Sequence, residues 1–90
     1  MSTSTPAQTT PTLHVIARAP FHLYFDDNAL RLSAENKVGK FDVLPGHADF
    51  FSMLKPCDVT IETATEEITF PIHTGMLTVQ NDQVMLFVNM

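Results

Sequence analysis

Apolar and polar residues alternate in short runs along most of this sequence, and turn-forming residues separate the runs. The first run starts at Leu13 and ends at Pro20, with Leu13, Val15 and Ala17 on one face. A period of two places successive side chains on opposite faces of a β-strand, whereas an amphipathic helix needs a period near 3.6. No window of the sequence carries a convincing helical pattern. The pattern therefore predicts an all-β fold.

Turn signals divide the chain into about eight to ten short strands, a spacing typical of a sandwich or barrel. Pro45 and Gly46 predict a tight turn with Gly46 at positive φ. Asn81 and Asp82 predict a two-residue hairpin turn with both residues at positive φ. Residues 26–28, Asp-Asp-Asn, predict a further turn. We therefore predict a small, flattened β-sandwich of mostly antiparallel strands.

Three runs carry more specific signals. Residues 48–54 fit either a helical turn or a strand, and their length and flanking prolines favour a strand. Pro71 lies within a strand-like run and predicts an edge strand or a bulge, because proline cannot donate to a ladder. Met85 and Phe87 make the second face of the final run apolar. That strand is either buried on both faces or meets a partner, and the sequence leaves both alternatives open.

The chain has 90 residues, which suits one domain. Residues 1–12 are rich in Ser, Thr and Pro, and we expect a disordered tail followed by one sandwich domain over residues 13–90. The tail lacks the basic and apolar regions of a signal peptide. No apolar run approaches the roughly 20 residues that span a bilayer, so we expect no direct membrane insertion.

The net charge is −5, and the whole imbalance lies after Lys55, where five acidic residues and no Lys or Arg occur. Nucleic-acid binding requires clustered cations, so we expect no nucleic-acid partner. The acidic third is either a solvated face or a docking surface for a basic partner. Cys57 is the only cysteine, so it cannot form an internal disulfide.

The sequence offers little catalytic chemistry. The four histidines do not lie at metal-ligand spacings, and no glycine-rich phosphate loop or nucleophile motif occurs. His47 and Asp49 are the nearest approach to an acid–base couple, but their spacing implies no pocket. We therefore predict no catalytic residues, no metal and no cofactor, and a function that resides in surfaces.

The segment G-K-F-D-V-L-P-G-H-A at residues 39–48, followed by L-K-P at residues 54–56, resembles the epsilon subunit of F-type ATP synthases. The resemblance is to its amino-terminal β-sandwich. Residues 13–20, 70–79 and 81–89 are similar, in order, to the opening strand and the last two strands of that domain. The resemblance thus covers residues 13–89, and P-G-H-A is its most specific part.

The resemblance implies a non-catalytic subunit of the central stalk that links the gamma subunit to the membrane c-ring. It implies that the subunit transmits rotation during ATP synthesis coupled to proton transport. The expected location is peripheral, at the cytoplasmic face of the membrane and within the synthase complex. We expect the partner interface to include Lys40, Phe41, Pro45, Gly46, His47 and Ala48, with Met85 and Phe87 on a second face.

Two departures from the family pattern leave a second hypothesis open. Lys40 stands where the family has an acidic residue, which reverses the charge at the expected c-ring contact. The sequence ends at Met90, and the family's carboxy-terminal helical hairpin has no counterpart in it. Inhibition of ATP hydrolysis by that hairpin is therefore not expected of this sequence. The alternative is a free-standing β-sandwich module that binds proteins and shares the epsilon fold.

Overall fold

The computed structural model describes residues 11–89. Within them, Pro11 and Thr12 are exposed and precede the first strand, and the rest of the predicted tail lies outside the described residues. The described chain consists of nine strands and no helix. Their bounds are β1 Leu13–Ala19, β2 His22–Ala29, β3 Arg31–Glu35, β4 Lys40–Val43, β5 Phe50–Leu54, β6 Cys57–Glu62, β7 Glu67–Ile72, β8 Gly75–Gln80 and β9 Gln83–Val88.

The strands form two sheets that pack face to face. One sheet has five strands in the order β2-β1-β9-β8-β5, and the other has four in the order β4-β3-β6-β7. β1 and β9 pair in parallel, and the other pairings are antiparallel. The predicted all-β sandwich of mostly antiparallel strands is therefore confirmed.

The alternation seen in the sequence becomes the division between core and surface. Along β1, Leu13, Val15 and Ala17 are buried, while His14 and Ile16 between them are half-buried on the outer face. Tyr24 of β2 stacks on Phe70 of β7 with ring centroids 4.5 Å apart, which joins an edge of each sheet across the sandwich. The largest fully buried side chains are Leu13, Leu32, Ile61, Leu77, Leu86, Val15, Val43, Val59, Val79, Val84 and Val88.

The predicted turns and strand types are largely confirmed. Gly46 has φ of 84°, and Asn81 and Asp82 have φ of 51° and 62°. Residues 50–54 within the ambiguous segment form β5, so the strand interpretation is right. Pro71 lies in β7, which is an edge strand of its sheet. An edge position suits proline, because proline has no N–H to donate to a neighbouring strand.

The turn predicted at residues 26–28 is wrong. These residues continue β2, which runs from His22 to Ala29 along β1. An edge strand tolerates this polar run, because Asp26 and Asp27 are exposed there. Asp26 Oδ1 lies 3.1 Å from His14 Nε2, so a cross-strand contact replaces the local turn. The chain instead changes sheet at Leu30, after the run.

Replacing Leu86 by alanine tests this packing. Leu86 is 0% exposed at the centre of β9, so we expect Leu86→Ala to lower the free energy of unfolding by about 2–5 kcal/mol. Urea denaturation followed by circular dichroism measures the change. Asp58→Ala, at an exposed position of β6, is the control and should cost about 0.5 kcal/mol or less. A loss at Leu86 no larger than that of the control would contradict the described core.

Candidate partner-binding surfaces

The connections between strands cluster at two opposite ends of the sandwich. We call one the lysine end, formed by residues 20–21, 36–39, 55–56 and 73–74. The other is the acidic end, formed by residues 44–49, 63–66 and 81–82 with Leu30. Hydrogen bonds tie the connections together at each end, such as Lys55 N to Glu35 O at 3.2 Å and Gly46 N to Asp82 Oδ1 at 2.8 Å.

Charge is segregated between these ends. All three lysines lie at the lysine end with Arg18, accompanied by the acids Glu35 and Asp58. The acidic end holds a single cation among the described residues, Arg31, which lies 3.1 Å from Glu62 and 3.9 Å from Glu67. Its acids are Asp49, Glu62, Glu66, Glu67 and Asp82. The acidic residues after Lys55 therefore do not form one face, because Asp58 lies at the lysine end.

The loop of residues 44–49 carries Pro45, Gly46, His47 and Ala48 at the acidic end. The turn places Gly46 at positive φ, and the Gly46 N–H donates to Asp82 Oδ1 at 2.8 Å. Asp49 Oδ1 in turn accepts from the N–H of Asn81 at 3.0 Å. The loop of residues 44–49 and the turn of residues 81–82 are thus hydrogen-bonded to each other, and these bonds hold the loop in one conformation. A loop ordered before docking loses less entropy when a partner binds.

His47 is exposed at the tip of this loop. Its Nδ1 lies 2.7 Å from the carbonyl oxygen of Ala48, to which the protonated nitrogen donates. Its ring lies 4.7 Å from the ring of Phe50, measured between centroids. Nε2 has no hydrogen-bond partner among the described residues, so it can serve a partner. Asp49 is engaged with Asn81 and not with His47, so the two residues do not form an acid–base couple.

The connection at residues 36–39 projects from the lysine end. Asn36 Oδ1 accepts from the N–H groups of Val38 and Gly39, and Asn36 Nδ2 donates to Ser52 Oγ at 3.1 Å. Val38 lies at the tip of this connection and is 96% exposed. Lys40 follows as the first residue of β4 and is exposed. Glu35 Oε2 lies 3.0 Å from Lys55 Nζ, so the nearest carboxylate is paired with Lys55 and not with Lys40.

The structure does not bring all the predicted interface residues together. Lys40 is separated from Pro45 by the length of β4, about 13 Å at roughly 3.3 Å per residue. Phe41 points into the sandwich, where its ring lies 5.9 Å from that of Phe50. Met85 and Phe87 lie half-buried on the outer face of the five-stranded sheet. Their roles in binding stay predictions.

The outer faces of the two sheets differ in chemistry. Around Met85 and Phe87, the neighbouring strands contribute Ile16 and Met76, with Thr78 and Arg18 in register. The outer face of the four-stranded sheet is polar instead, with Thr60 Oγ1 3.1 Å from Thr69 Oγ1. The outer face of the five-stranded sheet is therefore the more apolar of the two, as a face for protein contacts would be.

Sequence reasoning missed Val38 and Asp82. Asp82 supports the loop of Gly46 from a distance of 36 residues along the chain, and no local pattern reveals such a contact. Val38 could have been noticed, because an apolar residue at the tip of a short polar connection has no strand face to bury it. Both residues belong to the surfaces that the two ends present.

The titratable groups form no catalytic constellation in residues 11–89. His22 and His73 lie at the lysine end and His47 at the acidic end, while His14 contacts Asp26 and Asn28. No group of three His, Cys, Asp or Glu side chains that could hold a metal ion occurs in this range. Burial raises the pKa of the Cys57 thiol, and the nearby Glu35 carboxylate adds to the effect. The thiol is thus a poor nucleophile at neutral pH.

The sequence matches a family of known proteins. The family described as ATP synthase, Delta/Epsilon chain, beta-sandwich domain matches residues 12–90. The chain belongs to this ATP synthase family. The ATP synthase epsilon chain of Trichlorobacter lovleyi is 28% identical over 69 residues, which cover 77% of this chain and 50% of that relative. ATP synthase epsilon chain 2 of Paraburkholderia xenovorans is 44% identical over 48 residues, which cover 52% of this chain and 34% of that relative.

Solved structures share the fold of this member of the ATP synthase delta/epsilon family. A chain of the Euglena gracilis mitochondrial ATP synthase, solved with OSCP, F1 and the c-ring, superposes with a TM-score of 0.81 at 15% identity, over 88% of this chain and 51% of that one. A chain of the Tetrahymena thermophila mitochondrial ATP synthase central stalk and c-ring gives 0.75 at 19% identity, over 84% and 62%. The chain spans about half the length of its curated epsilon relatives. In residues 11–89 there is no helix that could cross a membrane.

The tie between Gly46 and Asp82 can be tested by a glycine pair. Asp82→Gly keeps the positive φ but removes the acceptor of the Gly46 N–H, so we expect the Gly46 amide to exchange about fivefold faster, equivalent to about 1 kcal/mol. Hydrogen exchange by NMR measures the rate. Asn81→Gly is the matched control, because the side chain of Asn81 makes no hydrogen bond to the loop. Equal rates in both variants would show that the carboxylate does not hold the loop.

Proposed function

We propose that this chain is the epsilon-type subunit of an ATP synthase central stalk and links the gamma subunit to the c-ring. It transmits rotation between them during ATP synthesis coupled to proton transport and catalyses no reaction itself. The observation that carries the proposal is the family match over residues 12–90, together with two chemically distinct ends on one rigid sandwich. The subunit is peripheral and acts within the complex at the cytoplasmic face of the membrane.

The acidic end is the proposed docking site for the gamma subunit. Pro45, Gly46, His47 and Ala48 form its exposed loop, and the hydrogen bonds of Asp82 and Asn81 fix that loop before binding. Ala48 is small enough to allow a close approach, and Nε2 of His47 can exchange a hydrogen bond with the partner. Met85 and Phe87 extend the contact onto the apolar outer face of the five-stranded sheet.

The lysine end is the proposed contact with the polar loops of the c-ring. Lys40 has no carboxylate within ion-pair distance among the described residues, since Glu35 pairs with Lys55. The proposal requires an acidic residue in the facing ring loop, which would complement this surface and match the reversed charge at Lys40. Phe41 supports Lys40 from the inner side by packing on Phe50.

A torque-transmitting link must be stiff, and the sandwich meets this requirement. β4 joins the two ends directly, with the lysine-end connection before it and the loop of Gly46 after it. β3 pairs with β4 over four residues, and β6 pairs with β3 in turn, so β4 cannot bend without disturbing the buried sheet. A displacement at one end is therefore carried to the other.

Recovery of a tagged copy from native membranes tests the function. We expect the eluate to contain the gamma subunit at near-equal stoichiometry with this chain, together with the c-ring. Quantitative mass spectrometry of the eluate measures both. Recovery of neither partner would contradict the stalk role and favour a free-standing module that shares only the fold.

Two substitutions separate the two contacts. His47→Asp places a carboxylate in the loop at the acidic end, and we expect gamma affinity to fall about tenfold while ring binding is kept. Lys40→Glu should do the reverse, and its effect should shrink at high salt because the contact is solvent-exposed. Calorimetry with each isolated partner measures both affinities.

His73→Asp is the control for the first substitution, since it makes the same change at the opposite end of the sandwich. A variant that lowers the affinity for both partners equally would show that the two ends do not bind different partners. Unchanged gamma affinity in His47→Asp would remove His47 from the interface.

A further inference from the structure

Four strands lie at the edges of the two sheets, and three of them are protected against pairing with another chain. Natural edge strands use charges, prolines or bulges to prevent such pairing. β7 carries Pro71, and β4 carries Lys40 and Asp42. β2 carries two aspartates and a shift in its register with β1. β5, which spans Phe50–Leu54, has no charge, proline or register shift of its own.

The unprotected edge of β5 is also apolar and accessible. The side chains of Phe51 and Met53 are 57% and 60% exposed, and both point to the outer face of the sheet. A groove of about 560 Å³ runs beside β5, with residues 36–38 as its second wall. The groove thus lies beside the edge of β5 that pairs with no strand among the described residues, and just beyond β5 the N–H of Lys55 donates to Glu35 O.

The sequence around β5 is complementary to itself in the antiparallel direction. Two copies can pair in antiparallel fashion with Ser52 of one copy opposite Ser52 of the other. A residue a given number of positions before Ser52 in one copy then lies opposite the residue the same number of positions after Ser52 in the other. Phe51 then faces Met53 of the second copy, and Asp49 faces Lys55. These four residues are exposed, and strand alternation places them on one face.

We infer that β5 is a self-association edge, on which a second copy of this chain docks by antiparallel strand pairing and joins the two five-stranded sheets into one. The interface is isologous, so every contact occurs twice. Backbone hydrogen bonds hold the strands, the two Phe51–Met53 pairs cover the centre, and the two Asp49–Lys55 pairs set the register.

The surrounding charges favour this register. Asp49 accepts from the N–H of Asn81 through Oδ1, and Lys55 Nζ lies 3.0 Å from Glu35 Oε2. Oδ2 of Asp49 and the other N–H groups of the Lys55 ammonium can still serve the second copy. Lys37 lines the same groove as Lys55 and adds a second cation to it. A shift by one residue would place Phe51 and Met53 of the second copy on the inner face, so the alternation opposes slippage.

This inference goes beyond the proposed function, although Asp49 and Lys55 belong to the two ends assigned to the gamma subunit and the c-ring. It concerns the chain before assembly, when the edge of β5 is open. Pairing would cover the most aggregation-prone edge of the domain until a partner binds.

Sedimentation equilibrium of the purified chain across the micromolar range tests the inference. We expect a reversible monomer–dimer equilibrium. Asp49→Lys alone places two lysines opposite each other, and Lys55→Asp alone places two aspartates opposite each other, so each should weaken dimerisation by about tenfold or more. An equimolar mixture of the two variants should form a heterodimer, because lysine and aspartate again meet at both ends of the pairing.

Glu66→Lys is the matched control, since it makes the same charge change in the connection between β6 and β7 and should leave the dimer intact. Circular dichroism establishes that each variant is folded. A wild-type chain that stays monomeric would overturn the inference. Dimers that survive in both single variants would also overturn it and would point to the flat outer face, and a mixture that fails to associate would exclude this register.

Discussion

The pairing of the last strand between the first and the eighth is the interaction on which the rest of the fold depends. β9 forms a parallel ladder with β1 on one side and an antiparallel hairpin with β8 on the other. The backbone N–H of His14 also binds the carbonyl oxygen of Asp82, just before β9 begins. Without β9, β1 and β2 would lose their connection to the rest of the five-stranded sheet, and residues 44–49 would lose Asp82. The loop at the acidic end and the apolar outer face thus both depend on the pairing of one central strand.

Short-range patterns predicted most of the elements. Alternation in residues 13–19 and the special backbone conformations of Gly46, Asn81 and Asp82 are local properties, and each was readable from a few neighbouring residues. The apolar second face at Met85 and Phe87 predicted either burial on both faces or a partner, and these two side chains are half-buried on the outer face of β9. Residues 26–28 were misinterpreted because turn propensity and an exposed edge strand use the same polar residues.

Long-range placement was beyond the reach of such patterns. The bond from Gly46 to Asp82 joins residues far apart in the chain, and neither residue shows it locally. The inward direction of Phe41 depends on its pairing with Ala34, whose side chain lies on the same buried face. The separation of Lys40 from His47 follows from β4 lying between them, although a resemblance read along the sequence groups them as one segment. Geometry therefore divides one motif between two surfaces.

The segregation of charge between the ends has a further consequence for how the domain meets its partners. Opposite net charges at the two ends of the sandwich give it a permanent dipole moment, which experiences a torque in the field of a charged partner. The domain would turn to the correct orientation before contact, at separations within a Debye length of about 8 Å at physiological ionic strength. Such alignment accelerates productive encounters without adding a single contact to the final interface. For the proposed stalk subunit, the same few surface charges would speed insertion into the complex and favour one orientation.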